Sequence, residues 1–383
     1  MAHVFGGAER TTANLLGHLD RTQVERITLV APAVLRPYLP EAYDTFVDAL
    51  QYHLEAGFTA PGILYRDAQT TGKLIRDLAP DVALGMMHYS SSLVVLGVRL
   101  AGAQTRTVAS YRGPFYEYMR HYERGFRRRL FLRAAVAGTA LLADRVIVPS
   151  HGTAKELRRR FLALTSRTIT IPNGIDRAAV AQAAQMPVPE LADLAGEVPI
   201  ICAIARLAPE KNLGLLLDAF CRVRAVRPAV LVILGDGPER ASLETRITAY
   251  GLAESVRLLG YRDNVHPYLR RADLFVHTCE FEGFGYTVLE ALACGAAVVA
   301  TDCPYGPREI LGDSECGILV PPNNPTALAD AILRLLADPL GRQALVARGR
   351  QRAEQLSIER MVRAYETVFV GLAHRDFGSQ NIA

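Results

Sequence analysis

The sequence predicts an α/β protein built from two parallel-sheet domains, and three observations carry that expectation. Short apolar runs alternate with longer helical patterns through the first half of the chain. The same alternation restarts at Pro199, after a stretch rich in Ala and Pro. Near three-quarters of the length, a strand pattern, a Gly-containing loop, a helix pattern and a second strand pattern follow one another directly. Alternation of this kind buries a parallel sheet under helices on both faces. A chain of 383 residues, half of them hydrophobic, is long enough for two or three such domains.

In the first half, 27–30, 82–86, 105–109 and 145–148 are short apolar runs bounded by polar or turn residues, and they read as strands. Helical patterns lie between them, such as 71–78 and 91–100. Residues 176–198 read as a linker ending near Gly196. The second half supplies strands at 199–204, 231–234, 256–259, 272–277 and 297–300. No internal repeat or low-complexity tract interrupts the order.

The densest chemistry lies in the run from Cys279 to Ala293. Glu282 opens its Gly-containing loop and Glu290 follows eight positions later on the helix. A strand, a Gly loop and a helix start aim free backbone N–H groups at an anion. The two carboxylates suit hydroxyls instead, and a sugar nucleotide offers both. The basic residues are also informative. Only Lys73, Lys155 and Lys211 are lysines among 43 Lys and Arg. Against that arginine bias, Lys211 beside Asn212 suits a point contact to phosphate.

Other classes are set aside on motif grounds. Gly235-Asp236-Gly237-Pro238 begins like a dinucleotide fingerprint, but Arg240 fills the third glycine position. Gly72-Lys73 is followed by Leu74, so no phosphate loop forms there, and no Asp-x-Asp pair offers a simple Mg2+ site. No metal site and no cofactor are expected. The six cysteines lack paired metal-ligand spacing, and Cys202 and Cys294 read as core thiols. No uninterrupted apolar run reaches eighteen residues, and no signal peptide is evident, so a reducing cytoplasm is the expected location.

Several motifs in one order resemble the retaining glycosyltransferases of family 4, which have the GT-B fold. They are Gly6-Gly7-Ala8-Glu9-Arg10, Val148-Pro149-Ser150, Ile171-Pro172-Asn173-Gly174, Ala205-Arg206 through Lys211-Asn212, Leu234-Gly235-Asp236-Gly237-Pro238, the Glu282-x7-Glu290 run, and Cys316-Gly317 through Pro322. The resemblance spans nearly the whole chain and is strongest from 171 to 340. It implies two Rossmann-like α/β domains facing across a cleft. Residues 1–176 would form the acceptor-side domain, 177–198 the linker, 199–350 the nucleotide-sugar domain, and 351–383 a helix crossing back to the first domain, with a tail.

The implied activity is transfer of a sugar, with retention, from a nucleotide-diphosphate donor to a hydroxyl of a glycan or lipid-linked acceptor. UDP-sugars are the first expectation for the donor and GDP-mannose the second; 300–309 resembles members that build cell-envelope polysaccharides. Arg206 and Lys211 would hold the diphosphate, helped by the amides of Gly283, Phe284 and Gly285. Glu290 would bind the ribose, Glu282 the donor sugar, and His88 the transferred sugar. Gly6 and Gly7 would allow close approach of substrate, and Tyr261 and Arg262 would line the base pocket. The alternatives are a GT-B epimerase or phosphorylase, or a non-catalytic sugar-nucleotide-binding subunit.

Two further expectations come from the residues themselves. Only five residues precede Gly6, so the strand expected before that loop is cut short, and an upstream start is expected. Six arginines interleave with aromatic and apolar residues from Phe115 to Arg133, which reads either as a solvated helix face or as contact with an anionic membrane surface. No nucleic-acid motif accompanies that charge.

Overall fold

The computed structural model describes residues 6–54, 57–194 and 198–374. The short segment before Gly6 and the linker end at Gly196 lie outside the described residues. Twelve strands occur among the described residues: β1 (Thr28–Ala31), β2 (Thr45–Asp48), β3 (Val82–Met86), β4 (Arg106–Ser110), β5 (Arg145–Val148), β6 (Thr168–Thr170), β7 (Ile200–Ile204), β8 (Val230–Leu234), β9 (Val256–Gly260), β10 (Leu274–His277), β11 (Ala297–Thr301) and β12 (Ile318–Val320). The chain divides into two compact units. One runs to Gly174 and resumes at Ile358; the other is Ile175–Ser357.

In the first unit β3, β4, β5 and β6 form a parallel sheet in that order, and β1 pairs with β2 in a separate parallel ribbon. Successive side chains of a strand point to opposite faces, and the two cores follow this rule. Ala109, Val146 and Val148 pack with Leu93, Val136 and Leu157. Their neighbours Val108 and Ile147 pack instead with Leu15, Tyr365 and other residues of helix Ile358–Ala373. That last helix buries Ile358, Met361, Val362, Tyr365, Val368 and Leu372, the stripe expected of a helix covering a sheet. Its Glu366 carboxylate accepts the Asp20 N–H at 2.6 Å.

The second unit holds a six-stranded parallel sheet in the order β12-β11-β10-β7-β8-β9. Strand β8 is buried along its whole length, as expected for a central parallel strand. Ile201, Ala203, Leu231 and Ile233 face one core. Cys202, Val230, Val232 and Leu234 face the other.

Two features depart from the sequence reading, and a third adds detail to it. The stretch read as linker contains helix Arg177–Ala183 and the 3-10 turn Pro189–Leu194, and it belongs to the second unit because Val180 and Leu191 are buried in its core. The return to the first unit falls after Ser357 rather than at 350. The basic, aromatic segment is two helices, Phe115–Tyr122 and Phe126–Leu142, interrupted at Gly125. Phe115, Met119 and Leu132 from that segment are buried in the core, so only part of its apolar surface faces outward: Phe126 is 79% exposed and Leu130 58%. No helix among the described residues is long and apolar enough to cross a membrane.

Candidate active site

In the six-stranded sheet, chain order reverses between β7 and β10. Ligands of open α/β sheets bind outside the carboxyl ends of the strands at such a reversal. Two loops leave the sheet there. After β7 the chain runs through Arg206 to the 3-10 turn Pro209–Lys211, and Asn212 then starts helix Leu213–Val226. After β10 it runs from Thr278 to Gly285, whose φ of 102° favours glycine at the start of helix Tyr286–Cys294.

Two hydrogen bonds to backbone carbonyls tie these loops together. The Glu280 N–H donates to the Glu210 carbonyl at 2.8 Å, and the Thr278 hydroxyl to the Lys211 carbonyl at 2.8 Å. Glu282 is fixed on both sides: its N–H donates to Pro304, and its carbonyl accepts from Tyr305. Gly306 closes this clamp, because with φ at 65° its bare Cα lies against the Phe284 backbone where a side chain would not fit. Gly235 allows a similar approach against Ala205.

The clamp holds an ionic cluster. Lys211 Nζ lies 2.7 Å from Glu282 Oε2, and both side chains are about four-fifths buried. His277 Nε2, at the end of β10, is 3.7 Å from the same oxygen and 3.1 Å from Cys279 Sγ. Burial alone would raise the Glu282 carboxyl; the Lys211 ammonium and His277 outweigh it and hold it far below the usual carboxylate range. Burial would likewise lower Lys211, but neighbouring Cys279 and Glu282 carry it well above the usual lysine value. For His277, burial also opposes charge, yet Cys279 and Glu282 raise it to about 9. Glu282 is therefore a charged acceptor at neutral pH and not a proton donor.

Arg206 joins through Glu210, whose Oε1 lies 2.6 Å from its guanidinium. Both cations expected for a diphosphate are thus already held against carboxylates. The Gly283 amide, expected to face an anion, donates instead to Glu282 Oε1 at 2.9 Å, because that carboxylate folds back over its own loop. Phe284 is buried in the core, touching Tyr286 edge to face. Glu290 lies on the buried side of its helix with His266 Nε2 3.3 Å from Oε1. Tyr261 is 48% exposed, whereas Arg262 donates to the Tyr268 hydroxyl and to Glu190, each at 3.1 Å.

The remaining expected residues belong to the first unit. Gly6 precedes helix Gly7–His18, and its N–H donates to Glu9 at 3.0 Å. His88 opens the helix that follows β3 and is buried. Its ring stacks on Tyr111 at 4.7 Å and packs against Phe115 at 4.4 Å. Desolvation lowers it to about 3, so it is neutral, and its buried Nε2 has no hydrogen-bond partner among the described residues. Sequence reasoning missed His277, Glu210 and His266. A histidine ending a strand just before an acidic Gly loop was the signal available for His277.

Comparison with known proteins agrees with this architecture. Residues 192–352 match the family model of glycosyl transferases group 1, and residues 5–179 match that of glycosyltransferase family 4. The chain is 28% identical over 357 residues to the N-acetylgalactosamine-N,N'-diacetylbacillosaminyl-diphospho-undecaprenol 4-alpha-N-acetylgalactosaminyltransferase of Campylobacter jejuni, covering 91% of this chain and 92% of the relative. It is 34% identical over 224 residues to the phosphatidyl-myo-inositol mannosyltransferase of Mycobacterium leprae, covering 56% and 58%. Among solved structures, HepE of Anabaena in complex with UDP and glucose superposes with a TM-score of 0.77 at 19% identity, over 96% of this chain and 97% of that one. A glycosyltransferase from Rickettsia africae gives 0.74 at 16% identity, over 97% and 96%. Two family models in sequence, a relative matched nearly end to end and two units each built on a parallel sheet lead to one conclusion: this chain is a glycosyltransferase of family 4 with the GT-B fold.

Proposed function

We propose that this glycosyltransferase draws on a nucleoside-diphosphate sugar, with UDP as the first nucleotide and GDP-mannose as the second, and transfers the sugar with retention to a glycan or lipid-linked acceptor. The observation that carries the reading is the Lys211–Glu282 pair at the carboxyl ends of β7 and β10, where the strand order reverses. An arriving diphosphate offers Lys211 and Arg206 a second anion, and their charge then stabilises the leaving oxygen. Glu282, held anionic, accepts hydrogen bonds from the donor sugar and lowers the energy of positive charge at the anomeric carbon. Glu290 takes the ribose hydroxyls, and Tyr261 and Arg262 flank the base. In the first unit, Gly6 and Gly7 admit the acceptor, and neutral His88 presents Nε2 to a sugar hydroxyl.

The relatives' names support this choice of substrates, since one acts on a diphospho-undecaprenol and another on phosphatidyl-myo-inositol. Six unpaired cysteines favour a reducing cytoplasm. Exposed Phe126 and Leu130 beside exposed Arg124 and Arg127 favour a peripheral seat on the anionic inner membrane face.

A panel of UDP-, GDP- and ADP-sugars read by thermal shift tests the donor. One nucleotide class is expected to stabilise the protein, by about 2.7 kcal/mol at a hundredfold excess over Kd. No response to any class overturns the reading. Turnover is expected to persist in EDTA; loss on chelation with recovery in Mg2+ overturns the cation-by-side-chain part of it.

A further inference from the structure

We propose that His277, Cys279 and Glu282 also form a binding site for a thiophilic divalent cation of the Zn2+ class, and that its occupation draws Glu282 from Lys211 and withdraws the carboxylate that the donor sugar needs for transfer. The binding half stands on geometry alone; the inhibitory half rests on the donor role proposed for Glu282.

Each residue offers one ligating atom, and these atoms all lie within 4.8 Å of one another. His277 Nε2 to Cys279 Sγ is 3.1 Å, Cys279 Sγ to Glu282 Oε2 is 3.8 Å, and His277 Nε2 to Glu282 Oε2 is 3.7 Å. A tetrahedral zinc with bonds of about 2.0–2.3 Å separates its ligand atoms by roughly 3.3–3.8 Å. The three atoms therefore outline one face of that tetrahedron, and its fourth corner is left for water or an anion. Imidazole, thiolate and carboxylate select zinc or its congeners over Mg2+, which demands an octahedron of oxygens.

The scaffold holds these ligands from behind. The Thr301 hydroxyl donates to the Cys279 carbonyl at 2.8 Å, and Pro304 and Tyr305 pin the Glu282 backbone. One support is absent, since buried His277 Nδ1 has no hydrogen-bond partner among the described residues. Sites lacking such an orienting partner bind about 10–100-fold more weakly. That grade of affinity suits reversible inhibition rather than a resident structural metal. Coordination takes the Cys279 sulfur as thiolate, and any proton held there or on His277 Nε2 goes to solvent.

Lys211 decides the outcome. Its ammonium sits 2.7 Å from the oxygen the cation needs, so the two compete for Glu282. The flexible lysine stem lets the ammonium give way. Donor binding then loses its orienting carboxylate.

Titration of the metal-free protein with Co2+ tests the binding half. One equivalent is expected to produce visible tetrahedral bands and a near-ultraviolet sulfur-to-cobalt charge-transfer band, both displaced by Zn2+ and both absent in Cys279→Ser. Lys211→Met, which removes the competing ammonium, is expected to tighten Co2+ binding at least tenfold. No charge-transfer band, or the same band in Cys279→Ser, overturns the site; if the serine variant does not fold, unchanged Co2+ affinity in Lys211→Met does so. For the inhibitory half, Zn2+ is expected to lower turnover of a UDP-sugar at least tenfold in wild type, reversibly with EDTA, and not in Cys279→Ser. A Co2+ spectrum with unaltered UDP-sugar turnover overturns inhibition and leaves metal binding standing. Absent UDP binding in metal-free wild type instead marks failure of the UDP-donor reading.

Discussion

Two histidines of this protein occupy similar places and end in opposite charge states. His88 follows β3 in the first unit, and His277 ends β10 in the second; both are buried. Burial pushes each toward the neutral form. Around His88 the close partners are the rings of Tyr111 and Phe115, which carry no net charge, and it falls to about 3. Around His277 are the Cys279 sulfur and the Glu282 carboxylate, and it rises to about 9. Depth sets the size of the penalty, and the nearest polar atoms set its sign. One unit thus buries a neutral ring, and the other holds a preformed array of charges.

Breaking the charged array should have the largest effect. Lys211→Met leaves the buried Glu282 short of its main partner. It should cost about 3 kcal/mol, the low end for a broken buried pair because both side chains keep some exposure. Glu282→Gln in the same chain should return most of that loss, measured by urea unfolding of all four proteins; additive losses would show that the two side chains are not coupled. Next come the two glutamates. Glu282→Ala should mainly depress kcat and Glu290→Ala should mainly raise donor KM, each by about 2–3 kcal/mol, since only interactions strengthened in the transition state appear in kcat. Wild-type kinetics in folded Glu282→Ala removes this carboxylate from the mechanism.

The neutral histidine sharpens the contrast through pH. An unfolded chain protonates His88 near pH 6.5, but the folded protein does so only near 3. Between these values the unfolded state binds the extra proton, so stability falls as pH drops from 6.5 toward 3, by at most about 1.4 kcal/mol per pH unit. His88→Asn should flatten that part of the profile; an unchanged slope in the variant would assign the pH dependence to other groups. The smallest effect concerns the surface. Arg124→Glu with Arg127→Glu should weaken binding to anionic liposomes by about 1 kcal/mol per site, with salt reducing the wild-type affinity. Equal co-sedimentation of variant and wild type leaves Phe126 and Leu130 as ordinary exposed residues.

The sheets were legible because buried parallel strands read as continuous apolar runs, as in Val230–Leu234 and Ala297–Thr301. Strands β2, β6 and β12 were not identified as strands. Each is three or four residues long and pairs on one side only, so each leaves little pattern. Residues 177–194 looked like linker by composition, because the apolar residues that dock them, Val180 and Leu191, are sparse. Glu282, Glu290, Arg206 and Lys211 were picked out as candidates from spacing and resemblance. Their pairing was not, since Lys211 and Glu282 are 71 positions apart and meet only where the strand order reverses. The sequence left 115–133 as either a solvated face or a membrane contact, and it did not reveal that helix phase turns Phe115 and Leu132 inward.

The second unit enters and leaves through one point. Ile175 donates its N–H to the Leu356 carbonyl at 3.0 Å, and the same residue bridges Ser357. The chain from Ile175 to Ser357 is therefore a cassette whose two ends are stitched together by its own backbone. Such a piece can be cut out as one continuous stretch or exchanged for a counterpart without finding new ends for it. The segment 175–357 is then free to diversify by cassette exchange while the rest of the chain keeps its own sheet and last helix.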